Sequence, residues 1–318
     1  MPELVDVTPG SPDWLATRRT GITATDLPAI LGISPYDSAY SLYWRKLGAI
    51  PDVPDCPRFR LGRELEPYIA KLWGEATGLW AIPGGLYRSS ERPWQMATVD
   101  RMRGRRPAIG PVPSPPVDFE AAEVVELKSW ADMDRDRWDD GPPPMVRAQV
   151  LWQMDVMGVA RGHVAVLFLP SGDLRSYVIE HPAGCDRPDE VMDGRQWCDL
   201  CLDQLMMRRE GYYFYTRLTD GNNPPDADGS AASLAAARAR FTPVPRKVAI
   251  IDPTLWMQYE HWDKLTAQHK EHRTRVQIAI RELAGDCGDL EVDGQLVARF
   301  DKRGALRRIK AKEEDSNG

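Results

Sequence analysis

Glu123-Val124-Val125-Glu126-Leu127-Lys128-Ser129-Trp130 reads as a buried strand, and its reading decides the fold. Side chains on a strand alternate between faces, so Glu126 and Lys128 point one way while Val125 and Leu127 enter the opposite layer. A carboxylate and an ammonium on a core strand are costly to desolvate unless they are paired or bound to something. The stretch is therefore a candidate site as well as a structural element.

Downstream, residues 132–144 form a charged, proline-ended connector, and the pattern over 145–158 predicts a helix. Val146, Val150, Met154 and Met157 share one face of it, with Gln149 and Gln153 close by. Residues 162–169 are almost wholly apolar, as in a central strand covered on both faces. After the Pro170-Ser171-Gly172-Asp173 turn, the alternation over 174–181 predicts the neighbouring edge strand. Helical spacing resumes over 188–211, and the aromatic cluster Tyr212 to Tyr215 closes the domain.

Upstream, strand-like pieces at 85–89 and 94–99 lead into Asp100. Residues 101–116, rich in Arg, Pro and Gly, predict an exposed extended loop. A helix over 60–77, stopped by Gly78, carries Glu66 beside its apolar stripe. Ser11-Pro12 starts a helix that brings Arg18 and Arg19 to Gly21. A short helix follows at 27–31, capped by Thr25 or Thr23, and another at 38–46. Hydroxyls and free backbone N–H groups beside arginines make a natural phosphate seat, although an ordinary cap next to solvated arginines has the same pattern.

At 318 residues, 42% hydrophobic and 28% charged, the chain can bury a large core and matches an ordinary soluble protein. It has no run of about eighteen apolar residues, and Met1 is followed by Pro2 and Glu3, so the expectation is a cytoplasmic protein away from membranes. A net charge of −6 argues against a protein that coats DNA but leaves room for a local basic groove. Basic clusters do occur at Arg101, Arg103, Arg105 and Arg106, and again over 299–312. The five cysteines, Cys56, Cys185, Cys198, Cys201 and Cys287, do not form a disulfide framework. Cys198 and Cys201 lie at helical spacing and read as small packing residues, with an iron–sulfur cluster that adds Cys56 and Cys185 as the lesser alternative.

Asp100 at a strand end and Glu-x-Lys on the next strand place two carboxylates close enough to hold a divalent cation, with a lysine beside the bound water. The order R-x-x-G-I-T-A-T-D, L-G-R-E-L-E-P, V-D, V-E-L-K and A-Q-V-L-W-Q-M over residues 12–215 resembles the YqaJ-type viral recombinase nucleases. These are relatives of phage lambda exonuclease within the PD-(D/E)XK superfamily.

The resemblance implies that Asp100, Glu126 and the Leu127 backbone carbonyl ligate the metal, and that Lys128 orients the attacking water. It further implies that Glu66 completes a second metal position or holds water, that Gln149 is the family glutamine near the active site, and that Arg18 and Thr25 hold a terminal 5′ phosphate. Two departures stand out. Threonine replaces the usual serine at position 25, and Thr98-Val99-Asp100-Arg101 replaces the usual S-P-D-G. Asp118 and Glu123 remain open as additional acidic partners.

The expected fold is α/β, a PD-(D/E)XK core with a central mixed sheet flanked by helices. The core covers 1–218, a linker 219–245, and a small helix-and-hairpin module 246–318. The resemblance implies a Mg²⁺-dependent enzyme, Mn²⁺ being the substitute ion, that digests double-stranded DNA from a 5′ end to leave 3′ single strands for recombination. It also implies a ring-like homo-oligomer and a single-strand annealing partner. The rivals are an endonuclease on duplex or branched DNA and a non-catalytic DNA-binding or assembly protein. In the last module Trp262, Leu265, His269, His272, Val276, Ala279 and Leu283 repeat as a heptad seam. A protein contact is the first expectation for it, with phosphate contacts by the basic hairpin, or capping of the oligomer, as the alternatives.

Overall fold

The chain folds as two units, Met1–Thr242 and Pro243–Gly318, in a computed structural model that describes residues 2–104, 123–183, 185, 198–241, 243–246, 248–284, 287–292, 295–300 and 306–309. In the first unit β1 (Glu3–Val5) precedes α1 (Pro12–Arg19). Ser11 caps α1 by accepting the Trp14 N–H at 3.2 Å. Next come β2 (Ile22–Thr23), α2 (Leu27–Ile30), α3 (Ala39–Lys46) and α4 (Pro57–Thr77). A Ser38–Ser41 capping box starts α3, and Gly78 at φ 71° ends α4. The strands β3 (Trp80–Pro83), β4 (Leu86–Arg88), β5 (Gln95–Thr98), β6 (Arg101–Gly104) and β7 (Glu123–Ala131) lead to α5 (Pro144–Met157). The unit ends with β8 (Arg161–Leu169), β9 (Leu174–Glu180), α6 (Asp199–Asp220) and α7 (Ala231–Arg240).

The central sheet has the order β3-β6-β7-β8-β9, parallel between β7 and β8 and antiparallel elsewhere, so it is the mixed sheet expected. Strand alternation splits β7 between two layers. Val125 and Leu127 pack with Ile69 and Trp73 of α4, while Val124 joins Val146, Val150 and Met154 of α5. Helix α5 lies close against the sheet because Gly162 leaves room: a Cβ there would come within 2.6 Å of Val150 and 3.0 Å of Met154. A second, four-stranded sheet has the order β1-β4-β5-β2.

Several elements of the first unit differ from the sequence reading. Residues 101–104, expected as loop, form β6. Met102 is buried, and the flanking Arg101 and Arg103 pair with Glu66 and Glu123, partners far away in sequence. Helix α6 runs through Gly211 instead of stopping there. That glycine is a close approach, since a Cβ would meet the Trp152 ring at 2.6 Å. Asp26, not Thr23 or Thr25, stands at the start of α2. The span 219–245 is also more than linker. Ser230 caps α7, Ser233 donates to Ser38 at 2.9 Å, and the Arg240 guanidinium lies 3.3 Å from the Trp44 ring centre on α3.

In the second unit α8 (Pro253–Ala284) buries none of its described residues, and the seam residues Trp262, Val276 and Leu283 are exposed. It is followed by β10 (Asp289–Val292), β11 (Gln295–Phe300) and β12 (Leu306–Arg308). These pair as an antiparallel three-stranded meander, one strand more than a hairpin. The expected turns at Asp293-Gly294 and Arg303-Gly304 lie outside the described residues. Among the described residues, no helix is long and apolar enough to cross a membrane.

Candidate active site

Asp100 stands where the chain leaves one sheet for the other, between β5 and β6. The Gly84 N–H donates to the Asp100 carbonyl at 3.1 Å, and the Val99 N–H donates to the Gly85 carbonyl at 2.9 Å. Only glycine fits that crossing, because a Cβ on Gly84 would sit 2.1 Å from the Val99 oxygen. Since β6 begins with Arg101 opposite Val125, β7 runs on beyond it. The Leu127 N–H then donates to Asp100 Oδ2 at 3.0 Å, which fixes the aspartate against the Glu-x-Lys strand.

Glu126 is fully buried and faces α5. Gln149 and Gln153, one turn apart on that helix, each donate an amide N–H to it: Gln149 Nε2 to Oε1 and Gln153 Nε2 to Oε2, both at 2.6 Å. Gln153 also donates to the Thr98 carbonyl at 3.0 Å, tying Glu126 to the end of β5. The Lys128 ammonium contacts Glu126 Oε1 and donates to Gln149 Oε1 at 3.2 Å.

Burial, reinforced by the charge of Glu126, pushes the Asp100 carboxyl up to about 8. Burial likewise raises Glu66 above the ordinary carboxylate range, against the opposing charge of Arg101, whose Nη1 lies 3.8 Å from it. Burial alone would lower Lys128, but Glu126 and Asp100 outweigh it and hold the ammonium above its usual value. Three carboxylates thus crowd one lysine and one arginine. Desolvation, with repulsion from Glu126 added to it, raises Asp100, and a divalent cation would offset both; carboxylate and carbonyl oxygens are the donors that Mg²⁺ prefers. Asp100, Glu126, Glu66 and the Leu127 carbonyl fit such an ion by donor chemistry.

A second centre has the opposite balance. Arg18 contacts the Thr25 hydroxyl and donates to Thr23 Oγ1 at 3.2 Å, and its guanidinium lies 4.2 Å from the Trp14 ring centre. Burial lowers Arg18 from its usual value, against the raising charges of Asp26 and Asp52. Lys46 pairs with Asp26 at 2.7 Å and donates to the carbonyls of Arg18 and Gly21, each at 2.8 Å. Burial would raise Asp26, but Lys46 and Arg18 hold it below the ordinary range. Parallel pairing of Thr23 with Met96 sets this centre four residues from Asp100 along the β5 direction, about 13 Å of extended chain.

Of the two open acids, Glu123 faces the α4 side, away from Glu126. It contacts Arg103 and lies 2.6 Å from His163 Nε2 and 3.4 Å from Arg161. Asp118, Arg105 and Arg106 lie outside the described residues. The sequence puts Gln153 near the helix face but does not mark it as a partner of Glu126. Its spacing of four from Gln149 is the signal that could have done so.

Residues 13–160 match the family described as the YqaJ-like viral recombinase domain, a span that includes every residue of both centres. The uncharacterized protein YqaJ of Bacillus subtilis strain 168 is 23% identical over 75% of this chain and 66% of its own length. An alkaline exonuclease from Laribacter hongkongensis superposes with a TM-score of 0.46 at 16% identity, over 66% of this chain and 94% of its own. A phage-related exonuclease from Haemophilus somnus 129PT gives a TM-score of 0.40 at 11% identity, over 64% and 96%.

Proposed function

We propose that the YqaJ-like viral recombinase domain carried by residues 13–160 works here as a DNA exonuclease that digests duplex from a 5′ end and leaves a 3′ single strand for recombination. The observation that carries this reading is the fully buried Glu126 in contact with half-buried Lys128, beside half-buried Asp100, whose carboxyl is pushed up to about 8 by desolvation and by Glu126. A buried acid cluster of this kind is stable as a cation site and costly as anything else.

Asp100, Glu126, the Leu127 carbonyl and Glu66 would hold Mg²⁺, or Mn²⁺ in its place. The ion supplies a hydroxide-like nucleophile near neutral pH and positive charge against the developing phosphorane. Gln149 and Gln153 fix both oxygens of Glu126. Lys128, held between Glu126 and Gln149, orients the water and donates to the oxygen that gains charge. Arg18 and the Thr25 hydroxyl receive the 5′-terminal phosphate, which supports end-directed cleavage over internal cutting. The threonine keeps the hydroxyl that a serine would offer. The reading includes a catalytic core over 1–218, a cytoplasmic setting, a ring-like homo-oligomer around DNA, and an annealing protein that binds the C-terminal module.

Linear duplex with 5′-phosphate, 5′-hydroxyl or covalently closed ends, offered with and without Mg²⁺, tests this. Mg²⁺-dependent digestion should be fastest on the phosphorylated ends and absent on closed DNA. Cutting of closed DNA would favour an endonuclease, and no cleavage of any substrate would favour a non-catalytic binder.

A further inference from the structure

Away from both centres, His181, Cys185, Cys198 and Cys201 converge on one point, their ligand atoms all within 4.8 Å of one another. The three sulfur–sulfur separations are 3.4 Å (Cys185–Cys198), 3.2 Å (Cys185–Cys201) and 3.5 Å (Cys198–Cys201). From His181 Nδ1 the sulfurs of Cys198, Cys201 and Cys185 lie at 3.3, 3.6 and 4.0 Å. A tetrahedral zinc ion with Zn–S bonds near 2.3 Å and a Zn–N bond near 2.0 Å sets its ligands about 3.8 Å apart for S–S and about 3.5 Å for S–N. The three S–N edges bracket 3.5 Å, and the three S–S edges lie about 0.3 to 0.6 Å inside 3.8 Å, within reach of a small outward shift when an ion enters.

Neither a disulfide nor an iron–sulfur cluster suits this geometry as well. Disulfide bonding needs sulfurs about 2.0 Å apart and uses two cysteines, leaving the third and the histidine without a purpose; all three cysteines are free. An iron–sulfur cluster spreads its thiolates around several metal and sulfide atoms, which is too wide for these separations. Cys56, which the sequence offers as a fourth thiolate for such a cluster, is not in the group.

Local backbone turns present the ligands in two pairs. His181 follows β9, with its N–H bound to the Ala160 carbonyl at 3.0 Å, and the Cys185 N–H returns to Pro182 at 3.0 Å. Cys198 is the cap residue of α6, and its carbonyl accepts the Cys201 N–H at 3.0 Å. The spacing is H-x3-C-x12-C-x2-C, the intervals of a zinc finger in reverse order. His181 and Cys201 are buried, and Cys185 and Cys198 are half-buried.

We propose that His181, Cys185, Cys198 and Cys201 form a structural Cys₃His zinc site that clamps the start of α6 to the end of β9. From there α6 reaches the catalytic helix: Gln204 donates to the Leu151 carbonyl at 3.1 Å, and Arg208 Nε donates to Asp155 Oδ2 at 2.8 Å, both on α5. With all four positions filled by protein, the ion has no open site for substrate and serves the fold.

The test is metal analysis of the full chain purified without added metal, alongside the Cys198→Ser/Cys201→Ser double variant and a Cys56→Ser control. About one equivalent of zinc is expected in the wild type and the control, and less than a tenth of that in the double variant. Because the double variant can fail to fold, Co²⁺ is exchanged into the wild-type protein. Tetrahedral thiolate coordination then gives a charge-transfer band in the near ultraviolet and d–d absorption in the red. Zinc retained by the double variant, octahedral cobalt, iron with acid-labile sulfide, or a metal-free protein with a disulfide among the three cysteines would each overturn the proposal. None of these readouts depends on nuclease activity, so failure of the zinc site and failure of the proposed function are separable.

Discussion

Two largely desolvated charged centres, four residues apart along the β5 direction, carry opposite imbalances. Around Asp100 three carboxylates face one lysine and one arginine, whereas around Asp26 two carboxylates, Asp26 and Asp52, face Arg18, Arg19 and Lys46. The first lacks positive charge and the second has a surplus. Folding alone gains little from either arrangement, because a buried group left short of counter-charge pays the desolvation that an evenly matched pair recovers. A ligand with a cation at one end and a phosphate at the other satisfies both, and the backbone of a nucleic-acid strand with its metal is such a ligand.

Removing the acid or the base from the first centre breaks the contrast most severely. Glu126→Ala and Lys128→Ala should each lower Mg²⁺-dependent nucleotide release from linear duplex by about 10³-fold, roughly 4 kcal/mol of transition-state stabilisation. Unchanged release in either variant would remove catalysis from that centre.

Next in size is Asp26→Asn, which removes the acid that Lys46 contacts and leaves that lysine buried without its counter-charge. The expected cost is about 3 kcal/mol in denaturant unfolding at pH 7. Asp26 sits below its unfolded value, so its stabilisation is complete above about pH 4 and is lost as pH falls through the depressed native value. Stability of the variant should therefore depend less steeply on pH in that acid range. A wild-type slope retained by the variant would show that another group is responsible.

Smallest is Arg18→Ala. Digestion of 5′-phosphorylated ends should slow by about 10- to 100-fold, the worth of a charge-assisted phosphate contact. Digestion of 5′-hydroxyl ends should stay within about threefold. Equal loss on both would make Arg18 a structural partner of the threonines and not a reader of the end.

Much of the first centre was legible because strand alternation is strict. Once 123–130 is a strand, Glu126 and Lys128 must share a face, and the layer holding Val125 and Leu127 follows. Asp100 and Glu66 came from their motifs. What stayed hidden depended on contacts between distant residues. Arg101 to Gly104 has the composition of a loop and becomes a strand by pairing with β3 and β7, where Met102 is buried and Glu66 and Glu123 receive its arginines. Gly211 reads as a helix stop until Trp152 is known to lie against it. Cys198 and Cys201 at helical spacing read as packing residues, since nothing local reveals that His181 and Cys185 arrive from the end of β9. Thr23 and Thr25 read as caps, yet their hydroxyls are turned to Arg18.

The two glutamines that grip Glu126 have a further effect. Arginines in their place would fill the same lone pairs while cancelling the carboxylate's field, and the pull on a cation would fall accordingly. Amides donate without adding net charge, so they hold the carboxylate still and leave Lys128 as the one cation in contact with it among the described residues. They also carry no proton that comes or goes over the working range of pH. The aim of Glu126 is thus insensitive to acidity, even where the charge on its neighbour Asp100 is not.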